Sequence, residues 1–138
     1  MTSSANSPSI PAAPPLAVGG VFVDALRRRD FEAMAACLAP DVRFRALLPR
    51  RDVDVVGPDA AIAEFRRWFG DESERCDLLD ATVGAAGPRL YMSWRVRMTR
   101  LEHAGPASGA RIAEQHAYAN GDDTLTTFSL LCSGFAPA

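Results

Sequence analysis

The feature that most constrains this chain is a single change of hydrophobic period. In its first half the apolar residues recur mainly at helical spacing, and from about residue 78 onward they alternate. Val18, Val21, Phe22, Ala25 and Leu26 fall at i, i+3, i+4, i+7 and i+8, which is one face of an amphipathic helix. Asp30 can cap a second, short helix, with Phe31, Met34 and Leu38 as its stripe and Pro40 as its stop. The stretch DVRFRALL (41–48) alternates as a strand, with Val42, Phe44, Ala46 and Leu48 on one face and Arg43 and Arg45 on the other. RRDVDVV then runs on to Gly57. Pro58-Asp59 suits the first turn of a third helix, whose stripe is Ala61, Ile62, Phe65, Trp68 and Phe69, with Gly70 just past its end.

After the acidic link DESERCD the period is two. Residues 78–83 are one candidate strand and GAAGP is a turn. In residues 90–98, Leu90, Met92, Trp94, Val96 and Met98 face one way while Tyr91, Ser93, Arg95 and Arg97 face the other. HAGPASG reads as a loop, and residues 111–119 and 124–133 form a hairpin about NGDD. Helices first and antiparallel strands after them predict an α+β fold, with the helices packed on one face of a curved sheet. At 138 residues with no internal repeat, the chain is expected to form one domain over residues 15–135. Residues 1–14, rich in Ser, Pro and Ala, are expected to be a flexible tail.

Composition excludes several chemistries. All 15 basic residues are arginine, so there is no Schiff-base lysine, no pyridoxal-phosphate anchor and no phosphate-loop lysine. Cys37, Cys76 and Cys132, with His103 and His116, show no metal-ligand spacing, and neither a metal nor another cofactor is expected. Three scattered cysteines suit a reducing, cytoplasmic setting. The net charge of −2 argues against nucleic-acid or anionic-membrane partners. Arg27-Arg28-Arg29 reads as a solvated helix end. The N-terminus lacks the basic and apolar regions of a secretory signal, and no apolar run nears the roughly 20 residues that cross a bilayer.

Three stretches, FVDALRRRDFEAMAACLAPDVRF, GPDAAIAEFRRWF and the closing EQHAY…TLTTFSLLCSGF, resemble the nuclear transport factor two-like superfamily. Its members include ketosteroid isomerase, SnoaL-type polyketide cyclases, scytalone dehydratase and limonene epoxide hydrolase. The resemblance spans residues 16–135. It implies a cone-shaped half-barrel, in which a strongly curved antiparallel sheet wraps three N-terminal helices around an apolar pocket. It also implies a homodimer formed on the outer face that bears Tyr91, Arg95, Arg97 and Tyr118. Position by position the working residues differ from the relatives. Phe22 stands where ketosteroid isomerase has its oxyanion-donating tyrosine, and Ala46 where that enzyme has its general-base aspartate. In the SnoaL-type register His116 keeps a histidine, while Leu130 takes the place of the aspartate. Arg95-Val96-Arg97 supplies no acid for the epoxide-hydrolase pattern.

Side chains alternate across a strand, so one residue of register decides what residues 111–119 offer. A shorter NGDD loop turns His116 into the cone beside Phe128 and Leu130. A longer loop turns Gln115 inward, as an oxyanion donor, and puts His116 outside with Glu114 and Tyr118. The inward His116 is the working expectation: a neutral imidazole in an apolar site can serve as a base near neutral pH. Glu114, two residues away on the same face, would orient it poorly. The expected activity is proton abstraction next to a carbonyl, leading to cyclisation, isomerisation or dehydration of an apolar small molecule. His116 would be the base and Gln115 a donor, with Phe22, Phe44, Ala46, Trp68, Trp94, Phe128, Leu130 and Cys132 as substrate-binding walls. The rival expectation is a non-catalytic module that binds an apolar ligand or dimerises. A cone filled by its own rings, with the imidazole outside, would favour the module.

Overall fold

The computed structural model describes residues 13–101 and 109–138. The expected tail therefore falls almost wholly outside the described residues, as do His103 and most of the expected loop HAGPASG. Three helices, α1 (Leu16–Arg27), α2 (Phe31–Ala36) and α3 (Pro58–Phe69), pack on one face of a curved, unclosed sheet. The strands are β1 (Leu38–Leu48), β2 (Arg51–Val56), β3 (Glu74–Ala86), β4 (Arg89–Arg100), β5 (Arg111–Gly121) and β6 (Leu125–Cys132), with a short β7 (Ala136–Pro137). Their order across the sheet is β2-β1-β6-β5-β4-β3, and β7 pairs with β5. β3 through β6 are antiparallel as expected. The sheet as a whole is mixed, because β1 runs parallel to β6. Among the described residues no helix is long and apolar enough to cross a membrane.

Asp30 caps α2 as the sequence suggests, its carboxylate accepting from the Ala33 N–H at 3.0 Å. Pro58 opens α3 and Gly70 follows its last residue. Three details depart from expectation, and one unassigned stretch becomes a strand. In α1 the buried stripe is Gly19, Phe22, Val23, Ala25 and Leu26, and Val21 is 56% exposed. Gly19 turns the helix: a Cβ there would stand 2.7 Å from the Leu90 side chain, so bare backbone lies on β4 where a search for apolar side chains sees nothing. Leu38 and Pro40 belong to β1, because α2 stops at Ala36. Within RRDVDVV, for which the pattern names no element, Arg51–Val56 forms β2, which pairs with β1. The link DESERCD is half strand, since Glu74 already belongs to β3. Its buried carboxylate pairs with Arg111 of β5 at 2.6 Å, a partner 37 residues away.

The core lies between helices and sheet. Arg29, at φ 52 in the left-handed region, ties the turn after α1 to the far end of α3. Its guanidinium donates to the carbonyls of Phe69, Asp71 and Glu74 at 3.2, 3.0 and 2.9 Å. A cation placed there also complements the negative end of the α3 dipole.

Candidate functional site

The hairpin β5–β6 decides which face each candidate occupies. Asn120 pairs with Thr127 and Gly121 with Leu125, so Thr126 is an unpaired extra residue. Gly121 sits at φ 151, and a Cβ there would run into the Thr124 carbonyl, so the bulge requires glycine. With this longer turn, Ala113, Gln115, Ala117 and Ala119 are the buried residues of β5, and Glu114, His116 and Tyr118 lie on the outside. The expectation of an inward His116 is thus corrected. A one-residue phase set by the bulge moved every side chain of the strand to the other face.

His116 sits between two partners on that outer face. Nε2 lies 2.7 Å from a Glu114 carboxylate oxygen and Nδ1 lies 2.8 Å from the Tyr91 hydroxyl. A carboxylate can only accept, so the neutral imidazole carries its proton on Nε2 and Nδ1 accepts from the Tyr91 O–H. Glu114 therefore orients the ring on the outer face, whereas the poor orientation expected of it was for an inward-facing pair. The imidazole side chain is 39% exposed.

Inside the cone the rings meet each other. Phe22 packs on Phe65, Phe128 and Trp94 at centroid distances of 5.6, 5.2 and 6.1 Å. Phe44 packs on Phe65 and Phe128 at 5.7 and 5.4 Å, and Phe65 on Trp94 at 6.4 Å. All five rings are buried. The sequence-derived wall residues Phe22, Phe44, Ala46, Trp94, Phe128 and Leu130 do come together here, in contact with protein. Trp68 and Cys132 stand at the margin, half-buried. Among the described residues Gln115 is the fully buried polar side chain. Its Oε1 accepts from the Trp94 indole N–H at 2.8 Å and its Nε2 donates to Cys132 Sγ at 3.2 Å.

Asp24 and Asp54 are exposed. Asp24 pairs with Arg27 and Arg28, and the Arg27 hydrogen bond is the main cause that holds its carboxyl below the usual range. Asp54 is held low in the same way, chiefly by Arg43. Burial pushes the Cys37 and Cys76 thiols up, away from thiolate chemistry.

Sequence reasoning missed a trough of about 470 Å3 on the outer face. Arg45, Leu47, Asp52, Asp54, Tyr118, Ser129 and Leu131 flank it, and Ala46, Val53 and Leu130 lie beneath. The signal was present as doubled leucines. Leu47-Leu48 and Leu130-Leu131 sit on strands of period two, so one leucine of each pair must face outward.

The family profile of the SnoaL-like domain matches residues 21–130, most of the chain. The chain belongs to the SnoaL-like domain family. Solved structures share its fold. A candidate polyketide cyclase of Xanthomonas campestris pv. campestris is 23% identical, with a TM-score of 0.61 over 83% of this chain and 87% of that one. A candidate ketosteroid isomerase of Kribbella flavida is 20% identical, with a TM-score of 0.59 over 90% and 82%. An epoxide hydrolase of the LEH-like type from M. tuberculosis is 16% identical, with a TM-score of 0.57 over 86% and 82%. At these identities the likeness is one of fold. No curated protein matches this SnoaL-like domain.

Proposed function

We propose that this SnoaL-like domain is a non-catalytic interaction module, in which rings fill the cone and the outer face of the sheet takes up a second copy of the chain. The observation that carries this reading is the interlocked Phe22, Phe44, Phe65, Trp94 and Phe128 cluster, with His116 on the other side of the sheet. A general base must come within hydrogen-bond reach of the proton it removes. An imidazole held outside by Glu114 and Tyr91 faces solvent instead of the cone. The rings leave their volume to one another, as in an ordinary close-packed core.

Dye uptake and oligomeric state test this reading. The wild-type chain should leave an apolar, environment-sensitive dye dark and scatter light as a dimer. Phe22→Ala should open a dry cavity and take up a small aromatic probe. Uptake by the wild type that quenches tryptophan, or a monomer at micromolar concentration, overturns the reading.

A second reading keeps the cone as a small-molecule site for an apolar carbonyl compound, of cyclase, isomerase or dehydratase type. One observation favours it: Gln115 spends an amide N–H on a sulfur, a weak acceptor, at the half-buried Cys132 margin. A ligand carbonyl would be the better acceptor. This reading expects Gln115→Leu to abolish uptake and His116→Gln to leave it intact; equal uptake by all three proteins removes it.

A further inference from the structure

On the helical side of the sheet, the turn between α1 and α2 meets the end of α3 around a hollow of about 610 Å3. Arg28, Arg29, Phe31, Arg66, Gly70 and Glu72 line it. Two of its three arginines come from the run Arg27-Arg28-Arg29, and the third lies on the last turns of α3. A solvated helix end accounts for Arg27 and Arg28, which pair with Asp24. It does not account for Arg29 and Arg66.

Each guanidinium is held in place by the protein itself. Arg28 donates from Nε to Asp24 at 3.1 Å and from Nη1 to Asp30 at 3.0 Å, so carboxylates answer its charge. Arg29 is fixed by the carbonyls of Phe69, Asp71 and Glu74, which carry no net charge. Those bonds use both Nη1 hydrogens and one of Nη2, leaving Nε–H and one Nη2–H to donate. The Arg66 guanidinium carbon stands 4.8 Å from the centroid of the buried Phe31 ring. A cation–π contact occupies the face of a guanidinium and leaves its in-plane N–H donors free. Arg66 makes no hydrogen bond or ion pair with the described residues, although Glu32 and Asp59 border the next hollow, which it also lines. Among the lining residues Glu72 alone is acidic. The neighbouring Asp71 carboxylate is taken up by the Ser73 N–H and hydroxyl, and Arg29 covers the Phe69 carbonyl at the negative end of α3.

From this arrangement we infer that the hollow binds a hydroxyl-bearing phosphate monoester, its phosphoryl group bridging Arg66 and Arg29. The planar fork of a guanidinium matches phosphate oxygens two at a time, and charge-assisted bonds of this kind are the strong ones. Two cations that face no carboxylate favour a dianion over a monoanion. Arg29 and Arg66 are already oriented, so little rotamer freedom remains to be lost on binding. A carboxylate can only accept, and Glu72 therefore meets a hydroxyl of the ester's organic part rather than its phosphate. The volume lies within the range of small-molecule sites. The hollow is on the opposite side of the sheet from His116, so the inference is independent of self-association through the outer face.

Calorimetric titration of the full chain at about pH 8 and constant ionic strength, with chloride as the competing anion, tests the site. Three probes separate its parts: methyl phosphate and glycerol phosphate, both dianions at that pH, and dimethyl phosphate, a monoanion. Methyl phosphate should bind one to one with a Kd of about 1 mM or below. Dimethyl phosphate should bind at least about tenfold more weakly, and glycerol phosphate more tightly than methyl phosphate. Arg66→Gln, checked for folding by circular dichroism, should lose at least about tenfold in affinity for methyl phosphate. Arg67→Gln, next to it on α3 but outside the hollow, should bind as the wild type does. No saturable binding, equal affinity for the monoanion, or an equal loss in Arg67→Gln overturns the phosphate site. Glycerol phosphate binding no tighter than methyl phosphate overturns the role of Glu72 and with it the hydroxyl-bearing class.

Discussion

Gln115 and His116 are neighbours in sequence, and the structure gives them opposite energetic standing. The Gln115 amide answers the indole N–H of Trp94 inside the core. Gln115→Leu strands that donor, and an unsatisfied buried group costs about 1–3 kcal/mol. His116→Ala removes a half-exposed side chain from a surface cluster and should cost no more than about 1 kcal/mol. Urea denaturation of the two variants checks the face assignment directly: a larger loss at His116 than at Gln115 would mean the register is inverted. Within the core, Phe128→Ala removes a ring that touches Phe22, Phe44 and Phe65, and should cost about 3–5 kcal/mol.

At the scale of elements, two devices hold the pieces in place. The β5–β6 bulge rests on Gly121, whose backbone conformation and contact with Thr124 exclude a side chain. Gly121→Ala should destabilise by about 1–3 kcal/mol through that strain. It should also loosen the hairpin, read as faster amide exchange across β6 than across β3. The second device is Arg29. Its three carbonyl contacts join α1, α3 and β3, and hydrogen bonds from a charged donor contribute about 1.5–3 kcal/mol each at most. Arg29→Ala should therefore lower the melting temperature more than Arg27→Ala, whose ion pair with Asp24 is exposed. Equal effects would mean the clamp is idle.

For the whole molecule, proton linkage sets a stability plateau. Asp24, Asp30, Asp54 and Asp71 all titrate below their ordinary value in the fold, held down first by Arg27, the Ala33 N–H, Arg43 and Ser73 respectively. Lowered folded values mean the unfolded chain binds more protons, so their contribution is present above about pH 4 and fades as pH falls further. Cys37 and Cys76 run the other way: burial raises them, so stability falls as pH climbs past about 8.5, where the unfolded thiols ionise. Melting temperature against pH should be flat between those limits and drop on both sides. A continued rise above pH 9 would contradict the buried thiols.

Much of this molecule follows from sequence alone. The three helices, the capping aspartate at Asp30, the proline start of α3 and the inward alternation of β1 and β4 are local matters of period and end chemistry. So is the set of rings that make the core. Tertiary structure decided what local pattern leaves undetermined. A strand's period of two says which residues share a face, but its phase against the core depends on a bulge and on pairing with β4. Gly19 could join the core only because Leu90 comes to lie against it, and Glu74 could enter a strand only because Arg111 arrives from 37 residues away. The side of the sheet that His116 occupies was fixed by the β5–β6 bulge and by the pairing of β5 with β4.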